Sequence, residues 1–244
     1  DGWFPRRGLY DIRTIVVGSL LVTAVAIVVA LPLGLGSAVY LSEYARPNVR
    51  RVLKPLVEIL AGIPSVVVGF FALTWISPQI VQRFAEGATQ FNLAAAGLGV
   101  GILTIPLVAA VSEDALRAVP RSLREASAAM GARKATTTIR VVIPAAVSGL
   151  VASFIVAVAR AMGETMVVFI AAGATGGALF TTDVFHPGHT MTAAMASQAA
   201  GTDQVRGAGL TFQSLFFVGL LLFMTTIVLN LIADRFVRRV RQRY

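Results

Sequence analysis

Apolar side chains in this chain run in long blocks and are not alternated with polar ones. Residues 14–41 are almost wholly apolar, broken only by small or hydroxyl side chains and by Pro32. A helix of about 28 residues outruns a hydrocarbon core of about 30 Å, so it must tilt or kink. Pro32, with Gly34 and Gly36 beyond it, is where a kink is expected. Further apolar blocks cover residues 55–76, broken near Gly62, Ile63, Pro64 and Ser65; residues 93–111, with Gly97, Gly99, Gly101 and Pro106; and residues 211–233. A fifth block, residues 139–172, carries Arg160 and Glu164 and is long enough for one generous crossing or two cramped ones. The pattern predicts an all-α fold, a polytopic transmembrane helix bundle of about five spans. Residues 173–209 are rich in Gly and Thr and predict an irregular loop, with a short helix near residues 190–200. With no internal repeat and no low-complexity linker, residues 1–244 are expected to form one domain.

Composition agrees with the pattern. The chain is 56% hydrophobic and only 14% charged, against about 25% charged in ordinary soluble domains, and its mean hydropathy is +0.77. A water-soluble globule would lack the polar sequence to cover its surface, and a disordered chain would not carry so much apolar material. The absence of cysteine excludes disulfides, thiolate metal sites and cysteine nucleophiles.

A net charge of +9 and a pI near 11.2 suggest nucleic acid at first sight, but membranes also sort positive charge, keeping Lys and Arg on the cytoplasmic side. If residues 139–172 cross once, one side collects Arg46, Arg50, Arg51 and Lys54, then Arg117, Arg121, Arg124, Arg133, Lys134 and Arg140, then Arg235, Arg238, Arg239, Arg241 and Arg243. The opposite side holds only Arg6, Arg7, Arg13, Arg83 and Arg206, leaving Arg160 alone inside a span. Two crossings there would split the loops evenly, so a single crossing is favoured, with the C-terminus cytoplasmic and residue 1 outside. Nucleic acid is not an expected partner; the lipid bilayer is. Residues 1–13 have no apolar core and form neither signal peptide nor anchor, and an earlier helix missing from this chain is the favoured way to set the start outside.

The cytoplasmic loop, about residues 112–138, carries the best motif. Ser122 with Glu125 three residues later reads as a capping box, and Gly131 as a left-handed stop. The resulting helix, residues 123–130, puts Leu123, Ala126 and Met130 on one face and Arg124 on another. Such a helix is suited to a partner's groove, though it also reads as an ordinary interfacial loop helix.

Glu125, Ala126 and Ser127, three residues, Gly131, nine residues, then Val141, Val142, Ile143 and Pro144 resemble the EAA loop of bacterial ABC importer permeases of the MetI-like type. The spacing holds throughout, with mild changes: Ser127 for Ala, Val141 for Ile and Ile143 for Leu. The resemblance implies that Ser122, Arg124, Glu125, Ala126, Ser127 and Gly131 belong to a coupling helix that docks on an ATP-hydrolysing subunit. Residues 32–45 (PLGLGSAVYLSEYA), 61–71 (AGIPSVVVGFF), 115–126 (ALRAVPRSLREA) and 159–166 (ARAMGETM) resemble the PstC-type membrane subunit of phosphate-specific importers. That resemblance implies an N-terminal helix missing here, a second homologous permease subunit, two ATP-binding subunits holding ATP and Mg, an extracytoplasmic phosphate-binding protein, and a bacterial inner membrane location. It also implies alternating access driven by ATP, with no covalent chemistry, catalytic residue or cofactor in this chain.

Arg160 and Glu164 are the only ionisable residues well inside a span, and four-residue spacing sets them on one helix face. They read either as a buried ion pair that locks the helix or as a substrate pathway. In the second reading Arg160 offers its donor fork to a passing oxyanion and Glu164 holds it when the path is empty, or accepts a proton from phosphate. The break at residues 62–65 either lines that path, with the Ser65 hydroxyl facing the oxyanion, or is a packed kink. Sulfate or molybdate import and a passive anion channel remain as alternatives. Lys54 with Glu58 reads as an interfacial pair, and Glu113, Asp114 and Arg117 as a helix-end cluster. His186 and His189 are too few for a metal site, and residues 173–177 lack the Lys of a phosphate-binding loop.

Overall fold

The computed structural model describes residues 2–173, 177–200 and 210–241. Arg206, Arg243 and the middle of the glycine-rich run at 173–177 lie outside the described residues. In order the chain forms β1 (Gly2–Phe4), β2 (Leu9–Tyr10), α1 (Ile12–Val39), α2 (Pro47–Ala61), α3 (Ser65–Phe71) and α4 (Gln82–Phe84). There follow α5 (Leu93–Arg117), α6 (Arg121–Ala129), α7 (Lys134–Thr137), α8 (Ile143–Ala145), α9 (Val147–Met162) and α10 (Met166–Ala171). β3 (Ala178–Leu179), α11 (Met191–Ala199) and α12 (Leu210–Arg241) complete it. Wider π-helical turns join α1 toward α2 (Tyr40–Tyr44), α3 to α4 (Ala72–Val81) and α7 to α8 (Thr138–Val142).

Among the described residues four helical stretches are long and apolar enough to cross a membrane: Ile12–Tyr44, Ser65–Phe84, Leu93–Arg117 and Leu210–Ile232. A fifth is the bent pair Lys134–Ala145 and Val147–Met162. Pro32 and Pro106 are carried inside α1 and α5.

Two blocks are interrupted, the one at 55–76 at the break its Gly62–Ser65 sequence predicts. The block at 55–76 divides at residues 62–64: Gly62 closes α2 with its N–H on the Ile59 carbonyl, and Pro64, extended at ψ 132°, opens α3. Proline has no N–H to continue the ladder, and the residue before it is pushed out of the helical region. The long apolar helix therefore starts at Ser65 and reaches Phe84, while no residue of α2 is buried. The block at 139–172 turns by 71° between Ala145 and Val147, just after Pro144, and breaks again at residues 163–165 before α10.

The chain divides into two compact units, each built from three stretches. The first comprises Asp1–Val29, Ile63–Leu103 and Val158–Ile227. Its core joins Val22 and Ala26 of α1, Val68 of α3, Ala95 and Val100 of α5, and Val167, Val168 and Ala171 of α10. Small residues let these helices meet: a Cβ on Gly69 would lie 3.1 Å from Ile170 Cδ1, the point where α3 crosses α10. A small antiparallel sheet in the order β2-β1-β3, unforeseen in the apolar pattern, pairs Trp3 with Tyr10 and with Ala178. The helix expected near residues 190–200 is α11, capped by the Thr190 hydroxyl accepting from the Ala193 N–H.

The second unit comprises Ala30–Gly62, Thr104–Ala157 and Val228–Tyr244. Ala38, Leu116, Val119, Val142 and Ala146 form its core. Ser112 and Ser153 share a buried hydrogen bond at 2.8 Å, so the polar groups between α5 and α9 are satisfied internally.

Candidate functional site

Two polar constellations stand out, one in each unit. In the second unit Pro120, extended at ψ 139°, opens α6, and Gly131 follows it at φ +77°. That positive φ is the left-handed stop expected of glycine. The expected capping box is not formed: α6 begins at Arg121, no side chain caps it, and Ser122 and Glu125 are exposed. With Pro120 at the N-cap, Ser122 is already the second residue of the helix and so is not placed to cap it.

α6 has an inner and an outer side. Arg124 faces inward, donating from Nη2 to Glu43 Oε1 at 2.8 Å and from Nε to Glu43 Oε2 at 3.3 Å. It also donates to the carbonyls of Leu116 and Val119 at 2.9 and 2.7 Å. Ser127 Oγ meets Thr137 Oγ1 at 2.8 Å, tying α6 to α7. The neighbouring face is open: Leu123, Ala126 and Met130 are exposed, Met130 at 88%. An open row of small and apolar side chains on a helix held by Arg124 and Ser127 has a shape and chemistry suited to a partner's groove.

In the same unit, the sequence-predicted helix-end cluster of Glu113, Asp114 and Arg117 centres on a buried carboxylate. Glu113, 1% exposed, takes a hydrogen bond from Arg50 and lies 3.6 Å from Lys54 Nζ and 3.9 Å from Arg117 Nη1. Lys54 therefore pairs with Glu113, not with the expected Glu58, because burial makes the inner carboxylate the one that needs a counter-charge. Glu43 and Glu113 had one legible signal: each is an acid at the end of an apolar block, on the side where arginines collect.

In the first unit, α9 ends at Met162, so Glu164 does not share a helix with Arg160 as four-residue spacing suggested. Gly163 and Glu164 fold back, their N–H groups on the carbonyls of Ala159 and Ala161. The fold-back still brings the two charges within reach: Arg160 Nη2 lies 3.9 Å from Glu164 Oε2. That is longer than a hydrogen bond. The Arg160 side chain is 54% exposed and that of Glu164 only 7%. Glu164 Oε1 is 3.5 Å from the Val167 N–H at the start of α10, and its carbonyl accepts from Thr192 Oγ1 at 2.8 Å. Glu164 thus works as a joint between α10 and α11, while Arg160 keeps most of its donors open. Ser65 is half-buried at the first residue of α3, the helix that packs on α10.

The two histidines go separate ways. His186 Nδ1 meets Asp183 Oδ2 at 2.9 Å on the surface, and the Phe185 N–H, then the His186 ring, hold the Asp183 carboxyl below its usual range. His189 is 1% exposed with no hydrogen bond to either ring nitrogen, and burial pushes its pKa down to about 4. No group of three His, Cys, Asp or Glu side chains suited to a metal occurs among the described residues.

The sequence pattern of the binding-protein-dependent transport system inner membrane component family matches residues 30–244. This chain belongs to that family. It is accordingly a membrane transport component and not an enzyme. Among relatives, it is 31% identical to the phosphate transport system permease protein PstC of Mesorhizobium japonicum, over all of this chain and 78% of that one. It is 34% identical to the phosphate transport system permease protein PstA 1 of Mycobacterium tuberculosis, over 99% of this chain and 75% of that one. The probable ABC transporter permease protein YqgH of Bacillus subtilis is 35% identical over 74% of this chain, the match spanning 62% of its length. In fold the family member resembles a chain of the inward-facing MetNI methionine ABC transporter, with TM-score 0.69 at 22% identity over 91% of this chain and 93% of that one.

Proposed function

We propose that this chain is a membrane permease subunit of an ATP-driven importer that carries inorganic phosphate into the cytoplasm. The observation that carries the reading is α6: a short helix held by Arg124 on Glu43, with Leu123, Ala126 and Met130 turned outward. In this reading α6 seats in a cleft on an ATP-hydrolysing subunit, which supplies ATP and Mg chemistry from outside this chain. Glu125 and Ala126 lie on the docking side; Arg124 and Ser127 position the helix, Gly131 ends it, and Ser122 is an exposed first-turn residue. A second, similar permease subunit completes the pore, and an extracytoplasmic binding protein delivers the substrate. The sorting of basic residues supports a cytoplasmic C-terminus in a bacterial inner membrane.

Phosphate as substrate rests on the PstC and PstA relatives and on Arg160. A half-exposed guanidinium inside a span, too far from its carboxylate for a hydrogen bond, is poised to receive an oxyanion and not locked in a pair. Ser65 is a further hydroxyl for the same path. The test is radiolabelled phosphate uptake in proteoliposomes holding the assembled transporter, with and without ATP and the binding protein. Uptake that needs both and resists sulfate competition is the expected result. Sulfate competition would mark an importer of another oxyanion, and uptake without ATP a passive channel.

A further inference from the structure

Residues 163–165 interrupt the helical run between α9 and α10, so their carbonyls lose the donors that a continuous helix would supply. Two of the three are satisfied locally: the Gly163 carbonyl accepts from Thr165 Oγ1 at 3.3 Å, and the Thr165 carbonyl from the Phe169 N–H at 2.9 Å. The Glu164 carbonyl takes its donor from another element, Thr192 Oγ1 of α11, at 2.8 Å. Glu164 is 7% exposed, so water is a poor substitute for that donor.

Each hydroxyl has a single proton, which fixes the direction of the bonds behind Thr192. Thr192 spends its proton on the Glu164 carbonyl. In the 3.0 Å contact between Thr190 Oγ1 and Thr192 Oγ1 the donor must then be Thr190. The Thr190 oxygen in turn accepts from the Ala193 N–H at 3.2 Å. The donors therefore run one way, from the first turn of α11 through two buried threonines to the Glu164 carbonyl, and bonds aligned in series reinforce one another. The start of α11 is anchored on α1. The Met191 N–H donates to Ser19 Oγ at 3.0 Å, and Ser19 donates to the Ile15 carbonyl at 2.8 Å. A Cβ on Gly18 would overlap the His189 carbonyl oxygen, so the two backbones are in contact there. α1 holds α11, and α11 holds the turn.

The turn decides where Glu164 sits relative to Arg160. With its carbonyl fixed by Thr192, Glu164 has Oε2 3.9 Å from Arg160 Nη2 and Oε1 3.5 Å from the Val167 N–H, short of a hydrogen-bonded pair with the arginine. We propose that Thr192, with Thr190 behind it, is a positioning residue for solute passage: it keeps Glu164 from closing on Arg160 and so leaves the guanidinium available to the oxyanion. The proposal rests on Arg160 lying on the solute path.

The test is ATP-dependent phosphate uptake per assembled complex in reconstituted transporter, for Thr192→Val, Thr192→Ser, Arg160→Gln and the double variant Arg160→Gln with Thr192→Val. Thr192→Val keeps the branched shape and removes the donor, and uptake should fall about fivefold, the worth of one hydrogen bond. Thr192→Ser keeps the hydroxyl and should restore most of it. In the Arg160→Gln background the valine should cost less than about twofold, because no guanidinium is left to keep free. A merely structural threonine would lower uptake by the same factor in both backgrounds, and that result would overturn the proposal. Thr192→Ser no better than Thr192→Val would overturn it as well. If Thr192→Val does not assemble, Ser19→Ala decides, since it loosens the anchor on α1 and leaves the Thr192 hydroxyl in place. It should lower uptake about twofold in the wild-type background and not in the Arg160→Gln background; unchanged uptake in both would overturn the proposal. Wild-type uptake by Arg160→Gln itself would remove the path reading and the proposal together. Impaired Arg160→Gln beside intact Thr192→Val would remove the proposal alone.

Discussion

Glu113 and Glu164 are both buried carboxylates, 1% and 7% exposed, yet their surroundings are opposite. Glu113 has Arg50, Lys54 and Arg117 around it. Glu164 has one cation, 3.9 Å away and 54% exposed, and spends itself on backbone near α10. A carboxylate ringed by cations is an anchor: it compensates its burial and leaves those cations with little to offer a ligand. A carboxylate that leaves its arginine mostly open sets up a site where a mobile anion can take the place of the fixed one. The difference separates what holds α2 against α5 from what can handle a passing solute.

If that contrast is right, Glu113→Gln should strike stability and spare transport. It strands three cations around a neutral amide, at a cost of about 2 kcal/mol because those side chains are partly solvated. Thermal unfolding in detergent should fall accordingly, with uptake per folded transporter unchanged. Loss of uptake at full stability would make Glu113 part of the path instead.

A second contrast concerns Arg124, whose donors are committed inward to Glu43 and two carbonyls. Glu43→Gln and Arg124→Gln should each uncouple ATP hydrolysis from uptake, and the double variant should be no worse than the more damaging single one. The coupling energy expected from such a cycle is about 1.5 kcal/mol. Additive effects would mean that Arg124 touches the partner directly.

The smallest effect belongs to His189, which has no counter-charge and no hydrogen bond. Its pKa is lowered from 6.5 to about 4 by burial, so the folded chain favours the neutral ring. Above pH 6.5 the ring is neutral folded or unfolded and costs nothing. As pH falls from 6.5 toward 4 the unfolded state gains the proton first, and stability drops, by about 1 kcal/mol at pH 5.5. Thermal melts across this range should show the drop in wild type and a reduced one in His189→Gln; parallel curves would reject the assignment.

Much of this was legible in the sequence because the membrane simplifies it. Apolar block length predicted the long helices α1, α5 and α12, and basic residues sorted by loop predicted an orientation. The spacing from Glu125 to Gly131 marked α6 and its left-handed stop. Proline geometry was legible only in part: Pro64 and Pro144 were visible, but how far each turns the chain depends on packing. Partners of Glu43 and Glu113 were not legible, since Arg124 and Arg50 lie 81 and 63 residues away in sequence. Four-residue spacing anticipated that Arg160 and Glu164 come within reach of each other, but not that α9 ends at Met162 before Glu164. The strands near Trp3 are two or three residues long, too short to leave a periodic signal.

The central claim is that Arg160 meets the solute. Its most direct test is ATP-dependent phosphate uptake by reconstituted transporter carrying Arg160→Gln, with subunit assembly and thermal stability measured on the same preparation. Loss of one charge-assisted contact predicts uptake reduced about ten- to hundredfold, with assembly and stability intact. Uptake equal to wild type in an assembled complex would contradict the account.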